Sequence, residues 1–175
     1  MSATIESAST QQGVQNIAGR FLTFSLAGEF YGLAVLKVRE IIKLVPITPV
    51  PQMPAHVNGV VNLRGKIIPV VDLRVRFGMP AAAHTDRTCI IVVQVTTAPQ
   101  TTNALGLVVD SVEEVINLGA GDIEKTPDFG TAVDISYLVG MGKIKGRVVA
   151  LLDIDRVLSQ GAIENLTKIQ QPPNF

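Results

Sequence analysis

The chain has 175 residues, and its 15 Lys and Arg residues balance 15 Asp and Glu residues, so the formal net charge is zero. Hydrophobic residues make up 47% of the composition, which excludes a disordered chain and provides enough apolar surface for a core. The neutral charge argues against a broad nucleic-acid surface, and the apolar runs are far shorter than the ~20 residues that span a bilayer.

The N-terminal segment, residues 1–19, is rich in Ser, Thr, Gln and Ala, which predicts a disordered tail. It shows no pattern of a secretory signal, and the single cysteine fits a reducing cytoplasm. Strand patterns begin after Arg20. Within residues 21–26, Leu22, Phe24 and Leu26 recur with the period of two that is typical of a β-strand.

The chain contains an internal repeat. Residues 31–41 align with residues 105–115 at a constant offset of 74, and five of these eleven positions are identical. Residues 58–73 align with residues 139–154 at an offset of 81, and the blocks occur in the same order in both halves. The repeat predicts two related units, about 20–80 and 86–158, with an exchange of terminal strands between them left open.

Each unit is predicted to contain two hairpins, and the second hairpin turns at a basic-Gly-basic triplet, residues 64–66 and 145–147. That hairpin ends at an aspartate that can cap a short helix: Asp72 in the first unit, and Asp153 or Asp155 in the second. Strand-rich units of this size close into barrels because closure removes exposed edges. We therefore predict an all-β protein with short helices, built as two small barrels side by side; a single β-sandwich is the alternative.

The segments between the strands have distinct compositions. Four prolines predict an extended, irregular connection within the first unit: Pro46, Pro49, Pro51 and Pro54. Residues 78–86 are predicted to form the passage between the units, and residues 159–175 a C-terminal helix and tail.

The chain has few residues that perform catalysis. His56 and His84 are expected to be solvated loop residues, and Cys89 lies on the apolar face of a predicted strand, as a small core residue does. No pair of Cys or His has the spacing of zinc ligands. We therefore predict no catalytic, cofactor-binding or metal-binding residues, and expect the protein to bind a partner in the groove between its barrels.

Three segments then occur in a characteristic order: residues 29–33 (Glu-Phe-Tyr-Gly-Leu), 37–42 (Lys-Val-Arg-Glu-Ile-Ile) and 59–74. The last contains Asn-Leu-Arg-Gly-x-x-x-Pro-Val-Val-Asp-Leu-Arg. From about Phe21 to Leu158, the chain closely resembles the bacterial chemotaxis coupling protein (CheW) family. The resemblance implies a fold of two SH3-like five-stranded barrels, which agrees with the repeat.

The resemblance also implies a function. Members of the family are non-enzymatic adaptors in the cytoplasm, associated with receptor arrays at the inner membrane, where they couple methyl-accepting chemoreceptors to the histidine kinase CheA. The receptor's helical tip docks in the groove between the barrels. The matching receptor-binding positions here are Val38, Glu40, Gly59, Arg64 and Gly65. The regulatory domain of the kinase is the second partner, and no kinase-contact residues are carried over.

Two other functions remain open at this point. The chain is also compatible with a coupling module of a non-flagellar chemosensory pathway. A small-barrel nucleic-acid binder is a further alternative because Arg64, Lys66, Arg74 and Arg76 form a basic group. That group is accompanied by few aromatic residues on which bases could stack, with Phe77 as the exception.

Overall fold

The computed structural model describes residues 18–98, 101–127 and 137–157. The predicted C-terminal helix and tail, residues 159–175, lie outside these ranges, as do residues 1–17 of the predicted N-terminal tail. Gly19 belongs to the predicted tail, but in the structure it is the first residue of a strand.

Strands dominate the described residues. They are β1 (Gly19–Leu26), β2 (Glu29–Ala34), β3 (Val38–Lys43), β4 (Val57–Leu63), β5 (Lys66–Asp72), β6 (Cys89–Ala98), β7 (Thr101–Val109), β8 (Ser111–Leu118), β9 (Ile123–Glu124), β10 (Leu138–Ile144) and β11 (Arg147–Leu152). Within the described ranges, helices are limited to α1 (Leu73–Arg76), α2 (Ile154–Val157) and single 3₁₀ turns at Val35–Lys37 and Ala120–Asp122.

The strands form two sheets. We call the sheet in the order β8-β1-β2-β11-β10-β9 the first barrel and the sheet in the order β3-β6-β7-β5-β4 the second barrel. Each barrel therefore takes strands from both halves of the sequence: the hairpin β1–β2 pairs with strands of the second half, and β6–β7 with strands of the first half. The units 20–80 and 86–158 do not coincide with the two barrels, because these terminal hairpins are exchanged.

The sequence repeat is visible in the strand registers. In the first barrel the parallel pair β2–β11 aligns Gly32 with Leu151, and in the second barrel β7–β5 aligns Gly106 with Val70. These residues are equivalent in the repeat. Both glycines are needed for close packing, since a Cβ at Gly106 would lie 2.8 Å from Ile90 Cγ2 and one at Gly32 would lie 3.0 Å from Leu151 Cδ2.

Three apolar clusters explain why the sheets curl and pack. One cluster, which includes Phe21 and Leu151, lies within the first barrel, and another, which includes Val70 and Ile90, lies within the second. The largest cluster, which includes Phe24, lies between the two barrels. A single sandwich would have one core between its sheets. The separate inner cores favour two small barrels, and the predicted fold class is confirmed.

Strand β6 shows how the alternation of side chains builds two of these cores. Ile91, Val93 and Val95 belong to the cluster between the barrels, whereas Ile90 and Val92 belong to the core of the second barrel. Successive side chains of a strand point to opposite faces. Because both faces of β6 are covered, its residues 89–93 are apolar without interruption rather than alternately polar.

The predicted aspartate caps are also present. The Asp72 carboxylate accepts a hydrogen bond from the Arg74 amide at 2.9 Å, and the Asp153 carboxylate accepts one from the Asp155 amide at 3.0 Å. Of the two residues proposed to cap the second helix, Asp153 does so. Each cap satisfies an amide at a helix N-terminus that has no partner within the helix.

Candidate functional site

An open depression with a volume of about 380 Å³ lies at one end of the second barrel. Its rim carries four charged residues, Arg39, Glu40, Arg64 and Lys66. Its floor is formed by Leu63, Ile68, Val92 and Ala104. We call this site the open mouth. It contains Glu40 and Arg64, two of the residues that the family resemblance assigned to receptor binding.

The hairpin between β4 and β5 presents Arg64 to solvent. Arg64 and Gly65 both have positive φ values, 52° and 86°, as the central residues of a type I′ hairpin turn do. The Asn62 side-chain oxygen accepts a hydrogen bond from the Gly65 amide at 2.9 Å and stabilises the turn. Gly65 therefore shapes the turn, and the Arg64 side chain is 72% exposed.

Arg64 reaches across the open mouth to Glu40. The guanidinium donates a hydrogen bond to the Glu40 carboxylate and forms an ion pair with it. Glu40 lies on β3 and Arg64 follows β4, and these strands are the two edges of the five-stranded sheet. An exposed ion pair contributes about 0–1 kcal/mol to stability. The ion pair therefore contributes little to the stability of the barrel, and its main effect is to orient the two charged side chains at the open mouth.

A β-bulge separates Val38 from Glu40. The register of β3 on β6 shifts between these residues, so Val38 lies opposite Val93 and Glu40 lies opposite Val92. Val93 faces the cluster between the barrels and Val92 faces the core of the second barrel. Val38 accordingly packs, half-buried, against the cluster between the barrels, whereas Glu40 faces the open mouth. A regular strand would have placed both side chains on one face.

Gly59 is buried where β4 approaches the proline-rich segment. Thr48 and Val60 exchange two backbone hydrogen bonds of 2.9 Å, which pins this segment against β4. Gly59 has a φ of 142°, and a Cβ added to it would lie 2.1 Å from the Thr48 carbonyl oxygen. The structure therefore assigns Gly59 a role in the backbone geometry of the site, and it offers no side chain to a partner.

The open mouth combines an apolar floor with a positive rim, since it carries three basic residues and one acidic residue. This arrangement can accept an apolar side chain accompanied by a carboxylate. The site residues predicted from the sequence do not include Arg39, Val92 or Ala104. They come from β3, β6 and β7, and only the pairing of these strands brings them together. For two of them the sequence holds an indirect signal, since at the offset of 74 Arg39 aligns with Glu113 and Ala104 aligns with Phe30.

The four basic residues that suggested a nucleic-acid binder do not lie together in the structure. Arg64 and Lys66 line the open mouth, but Arg74 donates hydrogen bonds of 2.7 and 2.5 Å to the two carboxylate oxygens of Asp110. The hydrogen bond from Arg74 holds the pKa of Asp110 below its ordinary value of 3.8. Arg76 donates to the Val157 carbonyl at 2.7 Å. These contacts direct both arginines of α1 into the protein rather than toward the mouth.

The residues with potential reactivity lie apart from the open mouth. Burial raises the pKa of the Cys89 thiol, which packs against the cluster between the barrels, as expected for a small core residue. His84 is exposed in the connection between β5 and β6, as expected. His56 differs from the expectation of a solvated residue: it is half-buried, and its Nε2 has no hydrogen-bond partner within the described ranges. No group of three or more His, Cys, Asp or Glu residues is placed to bind a metal in this part of the chain.

His56 leads to a prediction about the pH dependence of stability. Burial lowers its pKa below the ordinary value of 6.5, and the nearby Arg76 charge lowers it further. At pH values near and below 6.5, His56 binds a proton more readily in the unfolded chain than in the folded chain. The free energy of unfolding therefore falls as the pH falls toward the folded-state pKa of His56. We expect a lower melting temperature at about pH 5.5 than at about pH 7.5, measured by circular dichroism.

Two variants isolate this effect. His56→Gln should reduce the loss of melting temperature between these pH values, whereas His84→Gln is the control and should retain it. An identical pH dependence in His56→Gln and the unmodified chain would show that another group is responsible.

Two small barrels with separate cores, one of them with an open mouth that has an apolar floor and a charged rim, define the structural class of the protein. The family model for the CheW-like domain matches residues 20–162, and the chain therefore belongs to the CheW family. This confirms the resemblance found in the motifs. Among the described residues, no helix is long and apolar enough to cross a membrane.

The chain is similar to curated proteins over most of its length. It is 34% identical to the chemotaxis protein CheW of Klebsiella aerogenes, over 88% of this chain and 92% of the relative. It is 38% identical to the chemotaxis protein CheW of Rhizobium meliloti, over 78% of this chain and 84% of the relative.

A solved structure shows the same fold. The crystal structure of the scaffolding protein TtCheW from Thermoanaerobacter tengcongensis superimposes with a TM-score of 0.72 at 34% identity. The match covers 83% of this chain and 95% of that protein. It agrees with the two SH3-like barrels that the resemblance implied.

Proposed function

We propose that this chain is a chemotaxis adaptor that couples methyl-accepting chemoreceptors to the histidine kinase CheA. Membership of the CheW family supports the scaffold role. The observation that carries the receptor-binding part is the open mouth, where Glu40 and Arg64 of the signature segments meet above an apolar floor. The adaptor acts by contact and requires no cofactor or catalytic residue.

The open mouth and the adjoining surface at Val38 form the proposed receptor-binding site. A helical tip that docks here places an apolar side chain on the floor, where burial supplies most of the binding free energy. Arg64 and Glu40 then select the orientation of the helix through their charges. Gly65 holds the turn that presents Arg64, and Gly59 allows β4 to pass close to Thr48.

The receptor site proposed here differs in position from a groove that lies wholly between the barrels. The space between the barrels contains the largest apolar cluster. The open mouth is lined by strands of the second barrel alone, and Val38 marks the seam between the barrels beside it. The proposed path of the receptor's helical tip therefore runs from this seam onto the open mouth.

We assign no residues to the kinase contact. Its partner is the regulatory domain of CheA, and the proposed location of the adaptor is the cytoplasmic face of the inner membrane, within receptor arrays. A pathway that drives flagella and a non-flagellar chemosensory pathway would use the same contacts.

Reconstitution of the partners tests the proposed function. The full chain should bind the cytoplasmic fragment of a chemoreceptor and the CheA kinase from the same pathway at micromolar concentrations, measured by isothermal titration calorimetry with each partner separately. A chain that is folded by circular dichroism but binds neither partner would refute the proposal.

A further inference from the structure

The first barrel contains a second depression that is the structural counterpart of the open mouth. Its volume is about 90 Å³. Three of its residues, Glu114, Lys145 and Val149, occupy the positions that Glu40, Arg64 and Ile68 occupy in the open mouth, according to the two offsets of the sequence repeat. We call this depression the filled mouth.

The hairpin turns at the two mouths share their backbone geometry. Lys145 and Gly146 have φ values of 50° and 75°, close to the 52° and 86° of Arg64 and Gly65. Lys145 also lies across from an acidic residue, with its Nζ 4.0 Å from a Glu114 carboxylate oxygen. The chain therefore provides an internal comparison between two mouths that are built from the same elements.

The two mouths differ most at one floor position. The open mouth has Ala104 on β7, and the equivalent residue on β2 is Phe30. The Arg147 guanidinium lies over the Phe30 ring, 4.7 Å from its centroid, in a cation–π contact. Phe30 and Arg147 thus occupy the first barrel's mouth with the protein's own side chains, whereas the single methyl group of Ala104 leaves the corresponding space empty.

The difference in volume decides what each mouth can hold. A cavity of about 150 Å³ suffices for a benzene ring. The open mouth, at about 380 Å³, has room for a large apolar side chain, and the filled mouth, at about 90 Å³, does not.

The rims also differ in charge. Glu113 of the filled mouth stands at the position of Arg39 in the open mouth. The filled mouth consequently has two acidic and two basic rim residues, against one acidic and three basic in the open mouth. Only the open mouth has an excess of positive charge, which favours a partner segment that carries a carboxylate.

We propose that Ala104 determines which barrel of this chain binds the receptor tip, because it keeps the second mouth open for one apolar side chain of an acidic helical segment. This inference rests on the proposed function and adds to it the floor residue and the chemistry of the occupant. The carboxylate of the segment pairs with Arg39, Arg64 or Lys66 at the rim. The first barrel, closed by Phe30, makes no equivalent contact with the tip.

The test is Ala104→Phe in the full chain, which reproduces the residue found at the equivalent position of the first barrel. We expect affinity for the chemoreceptor fragment to fall by about tenfold or more, while affinity for CheA is retained. Because the other barrel accommodates Phe30, the variant should fold. Ala104→Met, whose flexible side chain adapts to irregular space, is the second variant should the phenylalanine prevent folding.

Phe30→Ala is the matched control, since it enlarges the mouth that we propose is unused. It should leave the receptor affinity unchanged. Two outcomes would overturn the inference: unchanged receptor affinity in folded Ala104→Phe, or a loss of receptor affinity in folded Phe30→Ala. In either case the proposed function would still stand, because the unmodified chain would still bind the receptor fragment. Loss of CheA binding alone in Ala104→Phe would also overturn it, because the occupant would then be the kinase. If the unmodified chain does not bind the receptor fragment, the proposed function and this inference fail together.

Discussion

Gly59→Ala is expected to lower the free energy of unfolding by about 3 kcal/mol or more, the largest stability effect of any single substitution considered for this site. The added Cβ would lie 2.1 Å from the Thr48 carbonyl oxygen and 2.7 Å from its carbonyl carbon. These are backbone atoms, so they cannot move aside as the end of a flexible side chain can. The φ of 142° adds backbone strain, since residues with a Cβ rarely adopt it.

The expected consequence is separation of β4 from the proline-rich segment. Thr48 and Val60 would lose the paired backbone hydrogen bonds that hold these segments together. For a chain of this size the melting temperature should fall by roughly 6–12 °C. Thermal unfolding followed by circular dichroism measures this directly.

Gly140→Ala is the matched control because Gly140 occupies the equivalent position in β10, at an equivalent shift of register. Its nearest neighbours would lie 3.0 and 3.1 Å from the added Cβ, and its φ lies outside the left-handed region. Its melting temperature should therefore fall less. Equal melting temperatures for Gly59→Ala and the unmodified chain would show that the close approach to Thr48 does not constrain the fold.

This result bears on how Gly59 contributes to receptor binding. Gly59 was predicted as a receptor-binding residue, but it is buried and has no side chain to offer. A receptor-binding defect in a Gly59 variant should therefore accompany the loss of stability, because a displaced β4 also displaces the hairpin that presents Arg64.

Arg64→Asn is expected to weaken binding of the chemoreceptor fragment by about tenfold to a hundredfold, the loss typical of a charged hydrogen-bonding group. The same substitution should change the melting temperature little. Asparagine readily adopts the positive φ that the first position of a type I′ turn requires, and the Arg64 side chain is 72% exposed. Titration calorimetry and thermal unfolding on one protein preparation separate the two effects.

Lys145→Asn is the matched control. It removes a basic residue from the same position of the same turn in the first barrel, with a φ of 50° against 52° at Arg64. Receptor affinity should be unchanged. Equal losses of affinity in Arg64→Asn and Lys145→Asn would point to net charge rather than to the open mouth, and a large loss of stability in Arg64→Asn would make Arg64 a structural residue.

The duplicated architecture provides an equivalent position in the other barrel for each of these substitutions. Both barrels use the same basic-Gly-basic hairpin, the same bulged strand and the same capped helix, so the two mouths can be compared position by position. Phe30 and Arg147 close one mouth, whereas Ala104 leaves the other open.

Local patterns in the sequence were sufficient for the fold class and for several individual elements. The alternation of apolar residues identified strands, and the repeat identified two related units. Asp72 predicted the start of one short helix, and Asp153 or Asp155 the start of another, where the structure selects Asp153. Each of these features depends on residues that are close in the chain or on similarity between two segments. The ordered motifs in residues 29–33, 37–42 and 59–74 also identified the family.

Only the tertiary structure decided how these elements combine. The exchange of terminal hairpins depends on which strand edges pair, and edge pairing is set by contacts between residues far apart in the chain. The bulge that separates Val38 from Glu40 reverses the face of every residue beyond it, and period-two alternation cannot reveal it. Ala104 likewise belongs to the site because β7 lies between β6 and β5 in the sheet. Its small side chain leaves space at the open mouth, and a sequence pattern does not show such space.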